Sequence, residues 1–183
     1  TISILNRFCD ILALYFLNNI LLKQSDAKLV KKINVGVKFY APYDANAIGK
    51  CTAAFCISKE LMKKVDEIPN NCLLLYPFSK KPLSKKDRKL SEAQGIYIID
   101  APWELLRGIN SRLGKKIQRR KLVSVREIQG PYVGSNFKIS SVGAVAFALF
   151  VLGLRKQAEQ LLGVFSWKDE FIKENFKQKN GKQ

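Results

Sequence analysis

Histidine is absent from all 183 residues of this chain. Because imidazole is the base in Ser-His-Asp and Cys-His catalytic arrangements, neither of these can be present. A mixed Cys/His zinc site is excluded for the same reason. Only chemistry that needs no imidazole remains.

The four cysteines, Cys9, Cys51, Cys56 and Cys72, include no C-x-x-C pair. This spacing matches neither a structural zinc site nor a thioredoxin-like motif, so we expect reduced thiols and no metal. No stretch has the form of a secretory leader, and we therefore expect a cytoplasmic protein.

A hydrophobic run long enough to cross a membrane is also missing. The uncharged stretch from Ile11 to Leu22 has 12 residues, whereas a spanning helix needs about 20. Its apolar residues recur at helical spacing, which predicts a packed helix within an N-terminal extension, residues 1–30. An interfacial membrane helix is the alternative, but we predict no membrane partner.

Basic residues are abundant: Lys and Arg total 32 against 15 Asp and Glu, for a net charge of +17. Hydrophobic residues still make up 47% of the chain, which is typical of a folded domain. A basic folded domain favours a polyanionic partner, nucleic acid first and an anionic membrane surface second.

Two groups of basic residues carry 13 of the 17 net charges. The first basic cluster comprises Lys80, Lys81, Lys85, Lys86, Arg88 and Lys89, offset only by Asp87. The second basic cluster comprises Arg107, Arg112, Lys115, Lys116, Arg119, Arg120, Lys121 and Arg126. Such runs are often simply solvated surfaces, but these flank loops without interleaved carboxylates, which favours phosphate binding. The predicted RNA-binding residues are Lys80, Lys81, Lys85, Lys86, Arg88, Arg112, Lys115, Lys116, Arg119, Arg120 and Lys121.

Alternating strand and helix patterns predict an α/β fold with a parallel sheet in the second half of the chain. Strands are expected near residues 33–40, 73–76, 96–99 and 122–125. Helices are expected over residues 52–65, from Ser84 to Gly95, from Pro102, and over residues 142–152, 155–162 and 167–176. Asp100 then follows a strand directly, at the sheet edge where ligands usually bind.

Several motifs in register resemble one enzyme family. The segments 73–79 (LLLYPFS) and 99–103 (IDAPW) are similar to the central block of the small-subunit (16S/18S) rRNA aminocarboxypropyltransferases. Upstream, residues 50–52 (KCT) are similar to the family's Lys-x-Cys-Thr/Ser-Gly segment. Downstream, residues 137–140 (FKIS) and the spacing of Phe165, Trp167, Phe171 and Asn175 agree as well. The likeness covers residues 37–180.

The resemblance implies a knotted fold related to the SPOUT-type RNA methyltransferases, with S-adenosylmethionine (SAM) bound in the knot. It implies an N-terminal α/β portion over residues 31–94 and a SPOUT-like cofactor-binding portion over residues 95–180. The implied reaction transfers a 3-amino-3-carboxypropyl group to a uridine-derived base, pseudouridine or N1-methylpseudouridine, of small-subunit rRNA during ribosome biogenesis. The partner is this rRNA or the pre-ribosomal small subunit, and the implied protein is a monomer.

By the same resemblance, Asp100 is the catalytic carboxylate and also binds the cofactor. The full set of implied cofactor-binding residues is Thr52, Leu75, Asp100, Trp103, Val123, Ser140 and Ala144. Taken without the motif, Trp103 is an ordinary core aromatic.

Four departures from the family pattern fall mostly on cofactor-side loops. Ala53 and Gly143 stand where the family has glycine and glutamate, Pro102 replaces a serine, and the loop over residues 129–134 (QGPYVG) differs from Asn-Pro-x-Asn-Tyr-Gly. Two other hypotheses follow: a catalytically silent ribosome-assembly factor that binds rRNA, and a methyltransferase that uses the same cofactor.

Overall fold

A computed structural model describes residues 35–40, 52–101, 105–128, 133–135 and 138–177. The predicted N-terminal helix, the predicted helix start at Pro102 and Trp103 lie outside these ranges. Within them, each helix is too short or too polar to cross a bilayer.

The described strands form one parallel five-stranded sheet. They are β1 (Val37–Tyr40), β2 (Lys63–Val65), β3 (Leu73–Leu75), β4 (Ile96–Ile99) and β5 (Gln118–Arg120). Their order across the sheet is β2-β1-β4-β3-β5. The predicted α/β fold with a parallel sheet is confirmed, and the sheet also includes strands of the first half of the chain.

Helices cover both faces of the sheet. They are α1 (Thr52–Ser58), α2 (Arg88–Gln94), α3 (Leu106–Arg112), α4 (Ser141–Val151), α5 (Arg155–Leu162) and α6 (Lys168–Ile172), which continues as a π-helix over Lys173–Lys177. The larger core joins α1, α4, α5 and α6 to one face, and α3 packs on the other. Successive residues of β3 point to opposite faces, so Leu73 and Leu75 enter the larger core and Leu74 the smaller. This arrangement explains the uninterrupted apolar run of β3.

The helix predicted over residues 52–65 is too long. Helix α1 ends at Ser58 because Glu60 adopts a left-handed conformation, with φ 57°. The N–H of Leu61 donates to the carbonyl of Cys56 at 2.9 Å, and that of Glu60 to Ile57 at 3.0 Å. These two bonds form a Schellman motif, which terminates a helix and here releases the chain into β2.

The strand predicted over residues 122–125 is also wrong. The strand lies earlier, at Gln118–Arg120, where backbone groups pair with β3. Ser124 has φ 59°, which interrupts an extended chain at the predicted place.

The local signals around α2 are confirmed. The carboxylate of Asp87 accepts a 3.0 Å hydrogen bond from the N–H of Ser84, as expected at a helix start. Gly95 ends α2 with φ 85°, and a Cβ there would lie 2.4 Å from the carbonyl oxygen of Gly36. Only glycine therefore fits where α2 turns into β4.

Candidate active site

Strands β1 and β4 are neighbours in the sheet, but the chain continues from them in opposite directions. After β1 it goes to β2 on one side, and after β4 it goes to β5 on the other side, so the strand order reverses between them. In parallel α/β sheets a ligand crevice forms beyond the carboxyl ends of two such strands. The N–H of Asp100 donates to the carbonyl of Tyr40 at 2.9 Å, which extends the β1–β4 pairing and fixes Asp100 at this edge. The predicted position of Asp100 is confirmed, with its side chain half-buried.

Two further predicted cofactor residues lie on helices that pack on the face of the sheet covered by the larger core. Thr52 is the first residue of α1, the helix that follows β1 in the chain, and Ala144 lies in the first turns of α4. Helix α4 contacts both α1 and β4. Thr52 and Ala144 are half-buried, as wall residues of a pocket are.

Ser140 is the N-cap of α4, and its hydroxyl oxygen accepts a hydrogen bond from the N–H of Gly143 at 3.2 Å. The N–H of Ser140 donates to the carboxylate of Glu127 at 2.5 Å. The side chain of Ser140 thus begins the helix, while its backbone is tied to a residue 13 positions earlier.

Leu75 is buried at the end of β3, the strand next to β4. Val123 is 53% exposed and lines a cleft of about 200 Å³, together with Leu83, Leu122, Ser124, Phe147, Val151, Asn175 and Phe176. Of the predicted cofactor residues, the described part of the chain places only Val123 in this cleft. The sheet edge at Asp100 is the better candidate site, because the strand order reverses there and the neighbouring strand β3 ends at Leu75.

The two basic clusters, separate in sequence, are neighbours in the structure. Pro82 and Lys121 form an isolated parallel bridge. The N–H of Lys121 donates to the carbonyl of Lys81 at 3.0 Å, and the N–H of Leu83 donates to that of Lys121 at 2.9 Å. The exposed side chains of this joined basic surface include the predicted RNA-binding residues Lys80, Lys81, Lys85, Lys86, Arg88, Arg112, Lys115 and Lys116.

Two predicted RNA-binding arginines are occupied by intramolecular bonds. Arg120 binds the buried carboxylate of Asp87. Arg119 donates to the side chain of Asn110 at 2.5 Å and to the carbonyls of Ile117 and Gly114, each at 3.1 Å. Both guanidinium groups are half-buried and organise the protein beneath the basic surface.

An aromatic pair lies where β3 leaves the sheet. Tyr76 and Phe78 make an edge contact with ring centroids 5.6 Å apart, and the guanidinium of Arg107 lies 4.1 Å from the centre of the Phe78 ring. Burial raises the pKa of the Tyr76 phenol. Arg107 belongs to α3, directly after the Asp100 segment.

Sequence reasoning missed Glu127, and it named Asn175 only as a motif residue without its contact. Glu127 is only 1% exposed and contacts the start of α4. Asn175 accepts from the N–H of Arg126 at 2.7 Å and donates to the carbonyl of Arg126 at 3.1 Å. No periodicity or spacing points to either contact, because Arg126 and Asn175 lie 49 positions apart in the chain.

Comparison with known families gives one match over more than half of the chain. Residues 73–179 match the family described as "Ribosome biogenesis protein, C-terminal". The matched segment begins at β3, extends past the π-helix that ends at Lys177, and includes Asp100 and both basic clusters.

Curated relatives carry one enzyme name. A 16S rRNA aminocarboxypropyltransferase of Methanococcoides burtonii is 34% identical over 128 residues, covering 69% of this chain and 72% of the relative. One of Methanosarcina acetivorans is 31% identical over 130 residues, covering 69% and 73%. Among solved structures, the SAM-dependent rRNA:acp-transferase Tsr3 from Vulcanisaeta distributa superposes with a TM-score of 0.71 at 28% identity, covering 78% of this chain and 79% of that one.

Proposed function

Because this chain belongs to the family of 16S rRNA aminocarboxypropyltransferases, we propose that it transfers the 3-amino-3-carboxypropyl group of SAM to a base of small-subunit rRNA. The acceptor is a uridine-derived base, pseudouridine or N1-methylpseudouridine. The observation that carries this proposal is the placement of Asp100 at the reversal of strand order, inside the matched segment.

The residues that we propose for the cofactor site fit SAM by their chemistry. The cofactor carries an amino acid and a ribose, which need polar partners, and an adenine, which needs an apolar wall. The half-buried Asp100 and Thr52 supply the polar groups, while the buried Leu75 and the half-buried Ala144 supply apolar surface. Once bound, SAM supplies an alkyl group already activated by its sulfonium, so neither a metal nor an imidazole is required.

Catalysis by the protein then consists mainly of positioning the base nitrogen and managing its proton. Asp100 is the carboxylate at the site and accepts the proton that this nitrogen loses on alkylation. The joined basic surface holds the phosphates on either side of the base, without choosing the sequence. An unpaired or flipped nucleotide gives access to the nitrogen.

Three finer parts of the proposal rest on resemblance and composition. The SPOUT relationship and the trefoil knot follow from the family motifs, a monomer is the expected oligomeric state, and the cytoplasm is the expected compartment. A crystal structure with SAM bound tests the knot, and sedimentation tests the monomer.

The experiment that tests the function is mass spectrometry of small-subunit rRNA from cells that lack the protein. The aminocarboxypropyl modification is expected to disappear and to return with the wild-type gene. Label in the carboxyl carbon of SAM is expected to reach the RNA, and label in the methyl group is not. The opposite labelling pattern would establish a methyltransferase.

A matched pair of variants connects this result to the site. Asp100→Asn removes the carboxylate at the strand reversal, and we expect roughly tenfold weaker SAM binding by calorimetry. Asp66→Asn makes the same change directly after β2, at the outer edge of the sheet, where Asp66 is exposed. Wild-type protein that binds no SAM would contradict the transferase and favour the silent assembly factor.

A further inference from the structure

Helix α4 begins with half of a capping box. The hydroxyl of Ser140 accepts from the N–H of Gly143 at 3.2 Å, which is the first half. In the second half, a Glu or Gln at the third helical position accepts from the N–H of the N-cap residue. That position is Gly143, which has no side chain to do so.

Glu127 provides the missing acceptor from outside the helix. One carboxylate oxygen, Oε2, accepts from the N–H of Ser140 at 2.5 Å, and the other, Oε1, accepts from the N–H of Ile128 at 3.0 Å. Two N–H donors match the two oxygens of an ionised carboxylate, which only accepts. The group is 1% exposed, so both bonds are shielded from water.

The backbone of Glu127 makes two further hydrogen bonds, to residues 134 and 135. Its carbonyl accepts from the N–H of Gly134 at 2.8 Å, and its N–H donates to the carbonyl of Ser135 at 3.2 Å. Glu127 itself is anchored by its neighbour Arg126, whose N–H and carbonyl are both bonded by Asn175. Glu127 is therefore hydrogen-bonded to residues 128, 134, 135 and 140.

The packing around Gly143 explains why the carboxylate comes from elsewhere. A Cβ at this position would lie 2.9 Å from Cγ1 of Ile139 and 3.0 Å from the hydroxyl oxygen of Ser140. Real Cβ contacts are almost never that short, so a side chain at 143 requires Ile139 to shift. A carboxylate attached at 143 would therefore displace Ile139, whereas the carboxylate of Glu127 reaches the N–H of Ser140 from outside the helix.

We propose that Glu127 is a positioning residue, which replaces the missing side chain of a capping box and holds Ser140 and Ala144 at the cofactor pocket. The second half of this statement rests on the proposed function. Because Glu127 acts through the start of α4, its loss affects cofactor binding more than the chemical step, which raises KM for SAM and changes kcat little.

The test variant is Glu127→Gln, which keeps the shape of the side chain. The side-chain amide of Gln has only one oxygen, which occupies one of the two acceptor positions. Its NH2 group occupies the other position and cannot accept from the N–H donor there. We expect amide hydrogen exchange at Ser140 and Ile128 to become at least tenfold faster in protein without cofactor, while Leu149 of α4 is unchanged. We also expect SAM to bind about tenfold more weakly, with kcat within threefold of the wild type.

The matched control is Glu174→Gln, which removes the carboxylate paired with Arg126, the residue next to Glu127. This pair is partly exposed, so both the exchange at Ser140 and the SAM affinity are expected to stay within twofold of the wild type. An equal effect of Glu174→Gln would show that the region responds to any lost charge, which contradicts the inference.

Wild-type protein provides a measurement that no unstable variant can obscure. The Ser140 amide is expected to exchange as slowly as those of the α4 interior, and rapid exchange there overturns the proposal. Exchange that accelerates equally throughout the sheet in Glu127→Gln means a structural role only and overturns it too. Failure of the wild-type protein to bind SAM contradicts the proposed function, whereas unchanged affinity in Glu127→Gln contradicts only the role of Glu127.

Discussion

Arg120 and Asp87 form an ion pair between the end of β5 and the start of α2. Nε and Nη2 of the arginine lie 2.9 and 2.8 Å from the same carboxylate oxygen of Asp87, Oδ1. The other oxygen accepts from the N–H and the hydroxyl of Ser84. With side-chain exposures of only 15% for Arg120 and 8% for Asp87, this pair lies beneath the basic surface that it helps to build.

Loss of this pair is expected to destabilise the protein strongly. In Asp87→Ala the guanidinium of Arg120 stays in place without its carboxylate, which costs about 3 kcal/mol of unfolding free energy. Urea denaturation at neutral pH measures the change. The control is Arg88→Ala, which breaks the exposed pair with Glu92 and is expected to cost about 0.5 kcal/mol or less. Equal costs for the two variants would mean that the Asp87 pair contributes no more than a surface pair.

Phosphate binding by the joined basic surface predicts a particular salt dependence. The double variant Lys115→Ala/Lys116→Ala removes two exposed charges before β5. The slope of log affinity for small-subunit rRNA fragments against log salt is expected to become shallower by about 0.7 to 0.9 for each phosphate that the variant no longer neutralises. Filter binding or anisotropy over a salt series measures this slope.

The control for that series is Lys156→Ala, an exposed lysine of α5 outside both clusters. Its slope is expected to equal that of the wild type. If removal of Lys156 changes the slope as much as removal of Lys115 and Lys116, binding reflects net charge and not this surface.

The buried thiol of Cys72 is expected to lower the free energy of unfolding at high pH. Burial raises the pKa of its thiol from 9.0 to about 11, and the residue is fully buried just before β3. Between these values the unfolded chain releases the thiol proton and the folded protein keeps it, so stability is complete below about pH 9 and falls as the pH rises toward 11. The expected loss is on the order of 2 kcal/mol.

Denaturant unfolding at pH 8 and pH 10.5 gives the fall in the free energy of unfolding between the two pH values. This fall is compared between the wild type and two variants. In Cys72→Ala the fall in stability is expected to be smaller than in the wild type, because the titrating group is gone. Cys56→Ala, which removes another buried cysteine that forms no disulfide and keeps Cys72, is expected to retain the full decrease. An identical fall in all three proteins would show that Cys72 is not its source.

Local signals in the sequence predict much of the fold because they act within a few residues. The apolar run of α4, the helical start at Ser84, a 3-10 turn over Lys85–Asp87 that leads into α2, and the end of α2 at Gly95 all lie where the sequence places them. The strand errors arise where long-range pairing wins over composition. Strand β5 has the sequence QRR and no apolar residue, and it is extended because its backbone pairs with β3.

The candidate site also has features that the sequence predicts and features that depend on the tertiary structure. Composition excludes imidazole chemistry, the charge predicts a polyanionic partner, and the motifs place Asp100 at the end of a strand. Those conclusions depend on which residues are present and on their order, so the sequence alone determines them.

Tertiary structure decides which distant groups meet. It joins the two basic clusters at Pro82 and Lys121, assigns Arg119 and Arg120 to internal bonds, and brings Glu127 to the helix that Gly143 leaves without a carboxylate. A hydrogen bond needs its two atoms about 3 Å apart. Separation along the chain carries no information about that distance until the sheet order and the helix packing are established.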